Sequence, residues 1–218
     1  MISFIGYELG VFLKKKFNKA VFNPLLIAII FVMVVLAITK VDYKSYNNGA
    51  KYLSYLLGPA TVCLAIPLYE QLELLKNNIK AVLTGIFSGV FSSLVSVLLL
   101  SHIFHFNHKE YVTLLPKSIT TAIGMGISQE LGGITTITVA VIIITGVLGN
   151  IIAETICDVF HIHEPIAKGI ALGTASHAIG TSKAMEMGEI EGAMGSLAIV
   201  VAGLLTVIGA SVFANFHW

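Results

Sequence analysis

The sequence predicts an all-α protein that crosses a membrane in about seven or eight segments, several of them broken. Two observations set that class and a third sets its internal character. Of the 218 residues, 56% are hydrophobic and only 11% are charged, with a mean hydropathy of +0.89, whereas a soluble domain carries about 25% charged residues. Stretches free of Asp, Glu, Lys and Arg cover 20–39, 52–69, 81–108, 131–153 and 192–218. They approach or exceed the roughly 20 apolar residues needed to cross a hydrocarbon core about 30 Å thick. Against this background, residues 169–196, GIALGTASHAIGTSKAMEMGEIEGAMGS, set Ser, Thr, His, Lys and three Glu among small residues. Polar, glycine-rich backbone at membrane depth persists only where protein buries it or where it lines a wet cavity. An ionisable group there needs a partner or a task.

The elements follow in chain order. Residues 2–13 form a short apolar segment interrupted by Glu8 and closed by Lys14, Lys15, Lys16 and Lys19, a cluster expected on the cytoplasmic side. The first residues lack the positive n-region of a cleaved signal peptide and are read as mature chain. Asn23-Pro24 opens the second helix, where the missing proline N–H is harmless. Residues 40–51, with three Lys, read as an external loop. The third segment, about 52–72, holds Gly58, Pro59 and Pro67, and Pro67 is expected to kink or break it. Residues 81–104 can cross unaided. Residues 112–133, VTLLPKSITTAIGMGISQELGG, are too polar and too rich in Gly for a lipid-facing helix, and form either a re-entrant segment or a broken crossing. A clean span at 134–152 and a polar loop holding Glu154, Asp158, His161, His163 and Glu164 lead to Pro165, the start of a further helix. The chain is treated as one integral membrane domain over 1–218, with possible half-repeats 1–110 and 111–218. Leu57-Gly-Pro-Ala-Thr61 and Leu172-Gly-Thr-Ala-Ser176 match at an offset of 115 residues, and such paired interruptions point to a transporter site at a repeat interface.

Charge and cysteine content exclude several classes. A net charge of +1 advertises no nucleic-acid partner. All thirteen basic residues are Lys, so an anion would be held by ammonium groups, hydroxyls, imidazole or helix N-termini and not by a guanidinium fork. Cys63 and Cys157 form neither a disulfide framework nor a zinc pattern. No nucleophile–base pair, P-loop or dinucleotide motif occurs. The protein is therefore expected not to be an enzyme and to need no metal or other cofactor.

The residues that carry chemistry lie around the broken segments. Lys117 stands in Pro116-Lys-Ser118-Ile-Thr120-Thr121 and Lys183 in Gly180-Thr181-Ser-Lys183. An ammonium flanked by hydroxyls suits a small carboxylate, and helix N-termini in a broken segment would each add about half a positive charge. The alternative is that both lysines snorkel to an interface. Thr61, Ser176 and His177 complete the candidate binding set, with Gly58, Pro59, Pro67, Pro116, Gly173 and Gly180 as its helix breakers. His177 is either a packing-seam histidine or a substrate or proton group. Glu191 either caps the last helix or joins His177 in coupling. His102, His105 and His108 read as a wet helix end.

Three stretches carry a family resemblance: LLGPATVCLAIPLY at 56–69, LPKSITT at 115–121 and GIALGTASHAIGTSKA at 169–184, followed by Glu191-Gly-Ala. In this order they resemble the LrgB/CidB family of bacterial membrane proteins, to which part of the plastidial glycolate/glycerate translocator of plants is related. The resemblance implies transport of small monocarboxylates, pyruvate or glycolate- and glycerate-like acids. It implies as the alternative holin- or antiholin-like control of murein hydrolase activity and cell lysis. It further implies an LrgA/CidA-like small membrane partner and a multi-pass location in the bacterial cytoplasmic membrane. For alternating access, segments around 57–69, 116–131 and 171–184 are expected to form the mobile substrate domain. The other helices would supply scaffold, lipid contact and a homodimer interface.

Overall fold

The computed structural model describes residues 2–17 and 22–216, apart from the side chains of several residues between 54 and 68. The regular structure among these residues is helical, as the composition requires. The chain divides into two compact units, 1–63 and 64–218.

In the first unit, α1 (Ile2–Phe17) lies against α2 (Pro24–Thr39). Glycine makes the approach possible: a Cβ on Gly10 would stand 2.6 Å from Pro24 Cα. The Asn23 side-chain oxygen accepts from the Leu25 and Leu26 N–H groups at 2.9 and 3.2 Å, the cap that Asn-Pro announces. The stretch read as an external loop is instead helical: α3 spans Tyr43–Ser54, and the Asp42 carboxylate accepts from Lys44 N–H at 3.1 Å. Asp42 is an N-cap signal that the lysines around it obscured. The single segment expected over 52–72 is divided between α3 and α4 (Leu57–Glu70). Pro67 sits inside α4, and the interruptions fall on either side, at 55–56 and at Gln71. Pro67 costs α4 one backbone bond without ending it at that residue.

The second unit is organised by α5 (Leu72–Ile103), α8 (Thr135–Val159) and α10 (Glu189–Phe213), the last extended by a 3-10 turn at Ala214–Phe216. These are the helices among the described residues that are long and apolar enough to cross a membrane, with α2 a shorter apolar one. Three full-length spans and one shorter apolar helix among the described residues stand beside the expected seven or eight segments, several of which are expected to be broken and so too short to count as full spans. At 1.5 Å per residue α5 runs about 48 Å, bending at Asn78, whose side chain donates to Leu74 O at 3.0 Å. Its Val82, Ile86, Val90, Leu94 and Val97 form one buried stripe at helical spacing, packed with small residues of α10.

Between the long helices the chain twice folds back on itself. The short α6 (His108–Leu114) and α7 (Thr121–Glu130) flank a turn at 115–119. Thr113 reaches the start of α8, its hydroxyl accepting from Ile134 N–H at 2.8 Å and its carbonyl from the Thr138 hydroxyl at 2.8 Å. Ser128 meets the same Thr138 at 2.7 Å, and Gly124 lies against Ile142 farther along α8. The order along α8 shows α6 running inward, turning near 116–120, and α7 returning to the level where it began. Gly132, with φ +80°, then makes the turn into α8 that an L side chain would resist. Residues 112–133 are therefore a hairpin, the shape that a re-entrant segment takes.

The helix that starts at Pro165 also reverses. Within α9 (Pro165–Met187) the backbone leaves helical geometry at Ser176 (φ −128°, ψ 16°) and His177 (φ 44°, ψ −139°). Its first half runs parallel to α10: a Cβ on Gly169 would collide with the Glu191 carbonyl, and one on Gly173 with that of Gly195. Its second half runs back along the same helix, with Thr181 beside Gly195 and Met185 beside Gly192. At the corner, Gly180 lies against the Leu172 carbonyl. Gly173 and Gly180 thus serve the reversal by removing side chains where backbones meet. The two stretches that match in sequence differ locally: 57–61 opens α4, whereas 172–176 closes the first half of α9.

Candidate functional site

Both hairpin tips reach the middle of α8, from opposite ends of the unit. Ile142 marks the meeting level. Its side chain packs on Gly124 in the first turn of α7, and its carbonyl lies 3.0 Å from His177 Nε2 at the tip of α9. Gly146 and Gly149 make room for that tip: a Cβ on Gly146 would stand 2.7 Å from the His177 ring, and one on Gly149 would run into Ser176. The second half of α9 is further tied to α8 by Asn150, which donates to Ile179 O at 2.9 Å.

Beside the tips, a cavity of about 740 Å³ runs along α5. One wall is a stripe of small residues from α5, Gly85, Gly89, Ser92, Ser93 and Ser96; facing it are Ile170, Thr174 and Ala175 of α9. Lys117 and Ser118, from the α6–α7 tip, close one end, and Asn78 of α5 and Glu164 before α9 also line the cavity. The Lys117 ammonium donates to Ser118 Oγ at 3.0 Å, and that hydroxyl lies 3.2 Å from Ser93 Oγ. No carboxylate among the described residues pairs with Lys117. A half-buried cation with hydroxyls in line has the chemistry to hold an anion. Thr120 caps α7 without using its side chain, so the N-terminus of α7, beginning at Thr121, brings its partial positive charge to the same tip.

The other sequence candidates separate from this cluster. Lys183 is clamped: Glu154 on α8 lies 2.6 Å from its ammonium and Glu186 3.5 Å. Ser176 and His177 are buried at the reversal, held by α8. Thr181 is fully buried between α9 and α10, and its hydroxyl has no partner among the described residues. Glu191 lies in the first turn of α10 with its carboxylate against Gly188, where a negative charge suits the helix N-terminus. Pro116 is fully buried in the α6–α7 turn. Gly58 and Pro59 lie in the first turn of α4, and the Thr61 side chain falls outside the described residues. Among the described residues no His, Cys, Asp or Glu cluster has metal-binding geometry. Ser92, Ser93, Ser96 and Thr174 escaped the sequence reading. The signal for the three serines is a small-residue face at helical spacing on α5, a pattern that also serves close helix packing; Thr174 sits among the small residues of α9.

A family model described as the LrgB-like family matches residues 3–216. The antiholin-like protein LrgB of Bacillus subtilis (strain 168) is 37% identical over 216 residues, covering 99% of this chain and 94% of that protein. The holin-like protein CidB of Staphylococcus epidermidis (strain ATCC 12228 / FDA PCI 1200) is 36% identical over 206 residues, 94% of this chain and 90% of its own length. The antiholin-like protein LrgB of Bacillus mycoides (strain KBAB4) is 36% identical over 217 residues, 99% and 94% of the two chains. No solved structure matches.

Proposed function

The chain belongs to the LrgB-like family, and within that family we propose that it moves small monocarboxylates across the bacterial cytoplasmic membrane. The observation that carries the reading is Lys117, a cation with no carboxylate partner among the described residues, at the end of a cavity where the neighbouring polar groups are hydroxyls. Two hairpins whose tips meet at mid-depth of a spanning helix are the arrangement in which transporters bind substrate and alternate access. A carboxylate resting on Lys117 and Ser118 would be exposed to one side or the other as the hairpins shift. Pyruvate and glycolate- or glycerate-like acids have the charge and size for this. The activity is transfer without chemical conversion, carried out by a homodimer working with an LrgA/CidA-like small membrane protein. His177 and Glu191 are the candidates for ion coupling.

A second reading, holin- or antiholin-like control of murein hydrolase activity and lysis, is favoured by the names of the relatives, which support it more directly than they support transport. The two readings separate in one experiment. Uptake of labelled pyruvate and glycolate is measured in liposomes holding the purified protein, with and without the small partner, and lysis is scored in cells carrying the same variants. Transport predicts saturable uptake that Lys117→Met removes. Lysis phenotypes without uptake by the wild type, even with its partner, would establish the second reading instead.

A further inference from the structure

Thr174 is a cavity residue whose polar atom has nothing to do in the unliganded fold. It stands two residues before the α9 reversal, lines the cavity and is 5% exposed, yet its hydroxyl has no hydrogen-bond partner among the described residues. A helical Thr ordinarily bonds the carbonyl one turn back, as Thr84 does to Lys80 O at 2.7 Å and Thr113 to Lys109 O at 2.6 Å. A buried hydroxyl that makes no such bond is costly, and in a cavity wall it marks a place for a ligand atom. Its surroundings fix which atom. The Thr174 methyl packs on Gly89, where a Cβ would stand 2.8 Å from it. Gly89 lies one turn of α5 from Ser93, about 6 Å along the axis. Ser93 meets Ser118, and Ser118 meets Lys117. The Thr174 hydroxyl oxygen lies 4.0 Å from the same Gly89 Cβ position, and Gly89 itself lines the cavity; a turn about the Thr174 Cα–Cβ bond, between the two rotamers open to helical Thr, would bring the hydroxyl to where the methyl stands.

We infer that Thr174 is a specificity-determining residue of this site: it donates to a hydroxyl or carbonyl oxygen of the substrate while Lys117 and Ser118 hold the carboxylate. The inference rests on the carboxylate reading above and adds to it a selection for acids bearing a second oxygen. An acid with a bare hydrocarbon chain leaves the hydroxyl unpaired, and sites with unpaired buried polar groups reject such analogues.

The test uses three acids of one chain length, propionate, lactate and pyruvate, and reads apparent affinity from thermal stabilisation of the purified full-length protein. Wild type should bind lactate and pyruvate about tenfold more tightly than propionate, the worth of one hydrogen bond. In Thr174→Val, of nearly the same shape, the ratio should fall to within about twofold, and Thr174→Ala should behave alike. Thr174→Ser should restore the preference. Without ligand, Thr174→Val should melt no lower than wild type, because the hydroxyl makes no bond to lose; a purely structural Thr would show the reverse, a lower midpoint with the preference intact. A preference that survives both Val and Ala, or is absent from wild type, overturns the assignment while leaving the carboxylate site standing. Failure of all three acids to stabilise wild type overturns the carboxylate reading and this inference with it.

Discussion

The two hairpin tips use polar residues in opposite ways. At the α6–α7 tip, the cation has no carboxylate partner among the described residues, and the hydroxyls around it line open space. At the α9 tip, polar groups are consumed by structure: His177 is bound to Ile142 O, Ser176 is wedged at Gly149, and Lys183 is neutralised by Glu154. Two lysines that look alike in sequence, each among Ser, Thr and small residues, therefore have different tasks. Lys117 donates only to a hydroxyl beside the cavity, which is why the proposal places the anion there, and Lys183 fastens the returning half of α9 to α8. A polar residue in a membrane segment has a partner or a task; the packing of the neighbouring helix decides which.

The sharpest way to break this contrast is at Gly149. A side chain there occupies the space of Ser176, and overpacking of this kind costs about 1–3 kcal/mol or more. Gly149→Val should give the largest loss of folded protein, measured as yield of monodisperse material and as melting temperature. Gly126, with nothing near its Cβ position, should accept Ala with little change in either.

Next in size is Lys117→Met. Hydrogen bonds to a charged partner are worth about 1.5–3 kcal/mol, so carboxylate affinity should fall roughly ten- to hundredfold while the melting temperature holds. A fall in both would mean that Lys117 is structural after all.

His177 sharpens the comparison from the other side. Its φ of 44° is backbone that glycine adopts freely and other residues adopt at about 1–3 kcal/mol. Removing the ring loses the bond to Ile142 O, worth about 1 kcal/mol. His177→Gly loses the bond but relieves the strain, whereas His177→Ala loses the bond and keeps the strain. Ala should therefore unfold at lower denaturant than Gly, and the reverse order would show that the reversal is not what strains the site.

The smallest effect belongs to Lys183→Met. The Lys183 side chain is 13% exposed but that of Glu154 is 65% exposed, and pairs of this kind contribute under about 1 kcal/mol. A modest drop in melting temperature is expected, with carboxylate affinity altered by less than about threefold.

Sequence reached the class, the Asn23-Pro24 cap, the Pro165 start and the anomalous character of 112–133 and 169–196, because hydropathy and helix-end chemistry are local. It also singled out Lys117 and Ser118. It could not distinguish Lys117 from Lys183, since Glu154 lies twenty-nine positions before Lys183 in sequence and faces it only because α9 turns back along α8. Gly173 and Gly180 announce a break in α9, but the unusual backbone falls between them, on Ser176 and His177, and neither residue signals a full reversal. Thr174 and Ser93 were invisible as site residues because each is set among small residues that also serve close helix packing; only the cavity separates the two uses.

The central claim, that Lys117 and not Lys183 holds the anion, is tested most directly by uptake of labelled pyruvate into liposomes bearing wild type, Lys117→Met or Lys183→Met, each with the small partner present. The account predicts saturable uptake by wild type, loss of at least about tenfold in Lys117→Met and readily measured uptake by Lys183→Met. Wild-type rates in Lys117→Met, or loss confined to Lys183→Met, would contradict it.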